Sequence, residues 1–209
     1  MYLPSSFSET EQDKLLELVA RFPFATVVTP EPDGELWVSH VPLLAHRRER
    51  GVILSGHFAR ANKHWRAFAA GAPSTAIFRG PHAYASPTWY VKTPAVPTWN
   101  YVVVHAVGPV RLVADDTRLA EMVRELAERF EGRGASAWHP DRVPPDFLAT
   151  QLAAIVGFEL GVERWEGKVK LNQNRSAEDR AGVIARYEAD GSEDTRALAA
   201  MMRAQLGED

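Results

Sequence analysis

The chain has 209 residues, of which 45% are hydrophobic, 24% charged and 10% aromatic, ordinary proportions for a chain that folds around its own core. It contains no cysteine, which excludes disulfides, Cys-ligated zinc or iron–sulfur centres and a thiol nucleophile. Lys and Arg number 24 against 27 Asp and Glu, a net charge of −3, so any nucleic-acid role needs a local basic patch or a surface built by a dimer. The opening residues lack the basic and apolar regions of a signal peptide, and no apolar run approaches the ~20 residues a membrane span needs. A cytoplasmic location and no membrane partner are the expectations.

In chain order, Ser8-Glu9-Thr10-Glu11 has the spacing of a capping box, and Leu15, Leu16, Leu18, Val19 and Phe22 follow at helical intervals up to Pro23. Phe24 to Thr29 reads as a strand, Asp33-Gly34 as a hairpin turn, and Leu36 to Ala45 as a second strand with Pro42 marking an edge or bulge. Gly51 to His57 is a further strand, followed by a short helix from about Ala59 that carries Trp65 and Phe68. Ser74 to Phe78 is a strand, and the Pro- and aromatic-rich span from Gly80 to Asn100 reads as irregular. Asn100 to Val113 is a long strand kinked at Gly108-Pro109.

Asp115 to Phe130 is an amphipathic helix with acids at its start, as the helix dipole favours, and Gly132 to Pro145 is a loop. Ile155 to Trp165 is the last strand, and Ser176 to Tyr187 and Ser192 to Leu206 are two helices around Asp190-Gly191. About six strands with helices between and after them give an α+β chain with a mainly antiparallel barrel and a C-terminal helical pair. Residues 1–175 are expected to form the barrel domain and 176–209 a helical extension packed on it. Gly-x-Gly-x-x-Gly, Walker, Gly-x-Ser-x-Gly and His-Glu-x-x-His patterns are all absent, and the seven His are scattered, so no metal site is expected.

Four segments carry a resemblance. They are Ser55-Gly-His-Phe-Ala-Arg-Ala-Asn62; Phe78-Arg-Gly-Pro-His-Ala-Tyr84 with Ser86-Pro-Thr-Trp-Tyr90; Val96-Pro-Thr-Trp-Asn-Tyr101 with His105; and Gly167-Lys-Val-Lys-Leu-Asn-Gln-Asn-Arg175. With Met1-Tyr2-Leu3-Pro4 and Phe22-Pro23-Phe24-Ala25, their order and spacing resemble the PaiB-type FMN-binding negative transcriptional regulators over nearly the whole chain. The resemblance implies an FMN-binding split β-barrel related to the pyridoxamine-phosphate oxidase fold, FMN as cofactor, and a homodimer with flavin in the subunit interface. It also implies a redox or small-molecule sensor with a regulatory output. A flavin-dependent oxidoreductase or flavin reductase using the same pocket is the alternative reading, with a haem-binding split barrel behind it.

The residues can be matched to the parts of FMN. A phosphate wants Arg and backbone N–H groups. The strand-to-helix junction at 55–62 offers Gly56 for close approach, Arg60 for a bidentate grip, Asn62 as a donor and His57; the same residues also read as an ordinary helix start with a surface Arg. Ser39, His40 and Val41, before Pro42, lie on the strand that in related folds passes under the ring and ribityl chain, or else on a plain edge strand. Lys168 and Lys170 share a face if their segment is extended, where cations would stabilise an anionic reduced flavin, and Gln173 would bond the ring edge; a solvated basic turn is the competing reading. Trp99 and Asn100 would touch the cofactor from the partner subunit, while His82 and His105 serve packing or hydrogen bonding. A DNA partner finds little support: residues 176–206 hold Glu178, Asp179, Glu188, Asp190, Glu193 and Asp194 against Arg180, Arg186, Arg196 and Arg203, whereas a recognition helix carries basic excess.

Overall fold

Alternation of β-branched and polar residues dictates most of the strands. In Phe24–Pro30 (β2) Ala25, Val27 and Thr29 point inward and are wholly buried, while Phe24, Thr26 and Val28 take the other face. The computed structural model describes residues 1–132, 134 and 137–207. By contact density the chain forms two compact units, one built from Val19–Ile77 with Ala106–Trp165, the other from Met1–Leu18, Phe78–His105 and the chain from Glu166 onward.

In the first of these units β2 pairs antiparallel with β3 (Leu36–Pro42), in the register Thr26↔His40 and Val28↔Val38. The turn between them uses Gly34 at φ 92°, a conformation open to glycine at little cost. The run expected as one strand to Ala45 is broken at Leu43. Pro42 ends β3, Leu43 drops into the core, and Leu44–Arg48 (β4) joins a second sheet. That sheet has the order β4-β5-β9-β8, with β5 at Gly51–Ala59, β8 at Val110–Leu112 and β9 at Ile155–Val162. Phe58, Phe68, Phe158, Leu54 and Leu160 fill its core. Gly56 is needed there: a Cβ would lie 2.5 Å from Leu43 Cδ2 and 3.3 Å from Phe158 Cζ, so this glycine permits the packing of the sheet. Helix α2 (Asp116–Glu131) is capped by Asp115, and α3 (Pro145–Ala153) precedes β9.

The other unit contains β1 (Ser8–Glu9), the adjoining parts of β6 (Ser74–Ala85), β7 (Thr98–Gly108) and β10 (Arg164–Lys170), ordered β1-β10-β7-β6. Ser8 opposes Lys168 in the ladder, so the capping-box residues are consumed by β1 and helix α1 starts at Gln12 (Gln12–Arg21). Likewise β6 continues to Ala85 through residues whose pattern Pro81 hides, since inward and outward positions slip at Gly80-Pro81. Helices α4 (Ala177–Asp190) and α5 (Glu193–Gly207) send Val183, Ile184, Tyr187, Leu198 and Met202 into one core with Val102, Val169 and Leu171. The Tyr187 hydroxyl donates to the Ala83 carbonyl (3.3 Å) and accepts from Asn100 Nδ2 (3.2 Å), and burial pushes its pKa up to about 12.

No helix among the described residues is long and apolar enough to cross a membrane.

Candidate functional site

The chain leaves β5 at Ala59, turns through Arg60 and Ala61, and enters a 3-10 helix at Lys63–Ala70. The expected helix therefore begins a few residues later than Ala59 and winds more tightly. Asn62 caps it: Asn62 Oδ1 accepts from the His64 N–H at 3.1 Å, and Asn62 Nδ2 donates to Ser39 Oγ at 2.9 Å. Two residues singled out in the sequence, 23 positions apart, thus meet directly. Asn62→Ala removes both bonds and is expected to cost about 1–2 kcal/mol in urea denaturation.

Around that helix start the side chains are cationic. Arg60, Lys63 and Arg66 are exposed and have no ion-pair partner among the described residues. Arg60 donates from Nε to the Ala153 carbonyl (2.7 Å) and from an Nη to the Ile155 carbonyl (2.8 Å), which fixes the guanidinium and engages two of its five N–H donors. Arg66 lies over the Trp65 ring at 5.3 Å. An anchored Arg, two further cations and the start of a capped helix suit a dianionic phosphate. Lys63 and Arg66 were not singled out from sequence, although the run Arg60-Ala-Asn-Lys-His-Trp-Arg66 contains three bases and no acid.

Behind this surface lies a buried polar chain that sequence reasoning missed. His64 is wholly buried; its Nδ1 is 2.9 Å from Ser39 Oγ and its Nε2 2.8 Å from Thr29 Oγ1, which is 2.7 Å from Ser74 Oγ. Its ring stacks on Phe58 at 4.9 Å and faces Trp37 at 6.1 Å. Removal from water drops its pKa to about 4, so the imidazole is neutral at pH 7. A hydroxyl at each ring nitrogen can donate or accept, and the neutral ring is satisfied in either tautomer. The network ties β2, β3 and β6 to the helix whose first turn carries the cations.

The neighbouring candidates differ in availability. His40 is exposed, its Nδ1 2.9 Å from Thr26 Oγ1 and its ring against Phe24. Val41 pairs with Ala25 in the ladder. His57, opposite Gly157 on β9, is partly buried, and desolvation lowers its pKa.

The remaining candidates belong to the other unit. Lys168 and Lys170 alternate with inward Val169 on β10, so they share a face, as the extended reading requires. Lys170 donates to Thr98 Oγ1 and to the Trp99 carbonyl (2.9 Å). Trp99 is half exposed and carries His82 against its ring; His82 Nδ1 is 3.3 Å from Asp194. Asn100 is wholly buried, donating to Tyr187 in the core of that unit rather than presenting itself at a surface. Gln173 closes its own turn, accepting from Leu171 N (2.7 Å) and donating to the Val169 carbonyl (2.6 Å).

Residues 1–164 match the family model described as "Putative FMN-binding domain". "Protease synthase and sporulation protein PAI 2" of Bacillus subtilis (strain 168) is 34% identical over 206 residues, covering 99% of this chain and 98% of that protein. Among solved structures, the flavocytochrome Anf3 from Azotobacter vinelandii superposes with a TM-score of 0.63 at 16% identity, covering 84% of this chain and 75% of that one. The FAD and heme binding protein from Mycobacterium smegmatis gives a TM-score of 0.61 at 19% identity, covering 88% and 80%. These likenesses establish the fold as the α+β, mainly antiparallel split barrel. With its family model spanning most of the chain, this protein belongs to the PaiB-type FMN-binding family, and its cofactor is FMN.

Proposed function

We propose that the protein is a flavin-based sensor of redox state or of a small molecule, with a regulatory output, and that the FMN phosphate is held at the turn after β5. The observation that carries the placement is the group of exposed cations Arg60, Lys63 and Arg66 at the start of the helix capped by Asn62. Two carbonyls fix the Arg60 guanidinium and leave three of its N–H donors for the phosphate, Lys63 and Arg66 supply charge, and Ser39 with the neutral His64 holds the cap in place. When bound, FMN supplies redox chemistry at its ring.

Arg60→Ala is expected to weaken FMN binding by more than ~1.5 kcal/mol, at least tenfold in Kd, measured by flavin fluorescence quenching. Lys63→Ala, which breaks no internal bond, should weaken it in the same direction. Unchanged affinity in both variants, with melting curves intact, removes the phosphate from this turn. Steady NAD(P)H oxidation by the loaded protein would favour turnover over sensing.

The chain is further proposed to act as a homodimer. Support comes from the outer face of the β2–β3 hairpin, where Phe24, Leu36 and Val38 are 65%, 59% and 51% exposed. Apolar area of this kind is costly to leave in water. Val38→Glu is expected to shift sedimentation velocity from dimer to monomer mass; wild-type protein that sediments as a monomer refutes the assembly.

A further inference from the structure

The cations of β10 are placed very differently from those of the turn after β5. Lys168 is only 6% exposed. Its ammonium donates to the Tyr2 carbonyl (2.9 Å) and lies over two aromatic rings, 5.2 Å from the centroid of Tyr2 and 5.4 Å from that of Tyr101. Lys170, two positions on, has its ammonium over Phe7 at 5.9 Å, besides its bonds to Thr98 and Trp99. Neither ammonium has a carboxylate within ion-pair distance among the described residues.

A pair of partly desolvated like charges without a counter-charge is an unfavourable arrangement. Its cost is visible on Lys170, whose pKa is lowered first by burial and then by the charge of Lys168. Hydrogen bonds to neutral carbonyls and π-faces orient the two ammoniums but leave their charge uncancelled. Two of the neighbouring aromatic residues reach solvent: Tyr2 is 83% exposed and Trp99, two residues from Tyr101 on the same face of β7, is 53% exposed.

We propose that Lys168 and Lys170 form the charged end of a second ligand site, which takes a planar organic carboxylate. The carboxylate would meet the two ammoniums, and the flat body would lie against the rings of Tyr2, Tyr101 and Trp99. Such a site gives a flavin sensor a small anionic molecule to detect. Its position in the chain is independent of the phosphate placement at Arg60.

The test uses the full chain loaded with FMN and titrated calorimetrically with benzoate, with inorganic phosphate and chloride run alongside. Saturable benzoate binding is expected, tighter than phosphate by tenfold or more, with quenching of tryptophan emission as Trp99 is covered. Lys170→Gln should weaken benzoate at least tenfold, and Lys168→Met should do the same. If the more deeply buried Lys168→Met fails to fold, Lys170→Gln at the more open position decides alone. Absence of saturation in the wild type overturns the proposal. So does equal binding of phosphate, which would mark a site for charge only. Loss of FMN from the lysine variants in proportion to loss of benzoate also overturns it, because the pair would then belong to the flavin itself. Failure of the phosphate placement is read separately, from the Arg60→Ala and Lys63→Ala titrations.

Discussion

Gly108→Ala is expected to destabilise the protein by about 3 kcal/mol, whereas Gly161→Ala, on the strand segment it touches, should change stability by less than ~1 kcal/mol. A Cβ at Gly108 would fall 1.8 Å from the Gly161 carbonyl oxygen, 2.9 Å from its carbon and 3.2 Å from Glu163 N. All three are backbone atoms, so no side chain can swing aside. The segment is held there by Gly161 N donating to the Pro109 carbonyl and Glu163 N to the Val107 carbonyl, each at 3.0 Å. Making room for a methyl group means breaking at least one of these bonds. At Gly161 an added Cβ meets nothing within 4 Å. Urea denaturation of the two variants checks the contrast, and equal midpoints would show that the approach at Gly108 is looser than the geometry states.

The second large effect is acid sensitivity through His64. In the unfolded chain this imidazole titrates near 6.5, in the folded protein near 4. Between those values the unfolded state binds the extra proton, so stability rises with pH across that window and is lost as pH falls through it. A separation of that size corresponds to about 3 kcal/mol between pH 7 and pH 4. Burial lowers His46 and His57 as well, which adds in the same direction. Asp141 and Asp190, whose pKa values are lowered by hydrogen bonds, from Arg124 to Asp141 and from Ser192 and Thr195 to Asp190, act in the same direction, their contribution being lost at still lower pH. His64→Gln should start less stable at pH 7, because the hydroxyls of Thr29 and Ser39 lose a matched partner, and should then decline less steeply to pH 4.5. Parallel pH profiles for the variant and the wild type would remove His64 as the source.

Much of this fold was readable where one physical rule acted alone. A β-branched and aromatic run placed β2, β5 was found, alternation placed β9 but ran on past Val162 and merged it with the start of β10, helical spacing with an acidic start placed α2, and Ser176 and Gly191 bracketed α4. Errors came where two rules competed. Ser8 and Glu11 have capping chemistry, yet the ladder to Lys168 takes Ser8 into a strand. Pro81 conceals the second half of β6, although a strand tolerates a proline where no ladder donor is needed.

The candidate site divides in the same way. The junction of Arg60 and Asn62 and the shared face of Lys168 and Lys170 follow from local spacing and chemistry. The polar chain through Thr29, Ser39, His64 and Ser74 does not, because its members are brought together only by tertiary pairing. Asn100 and Gln173 show the reverse. Their amides look available in sequence, but the fold uses the Nδ2 donor of Asn100 on Tyr187 and the Nε2 donor of Gln173 on the Val169 carbonyl.

The last two helices follow the stretch matched by the family model, which ends at residue 164, yet they supply part of a core. Their evolutionary freedom is therefore one-sided. Outward positions such as Ala185 and Arg186 are exposed and leave that core untouched when changed. Val183, Ile184, Tyr187, Leu198 and Met202 are bound to their neighbours' volumes, and Gly182 is bound more tightly still, since a Cβ there would stand 2.3 Å from the Trp89 carbonyl oxygen. Any new role acquired by this terminus has to be written on its outer surface alone, in a script that leaves the inner one unedited.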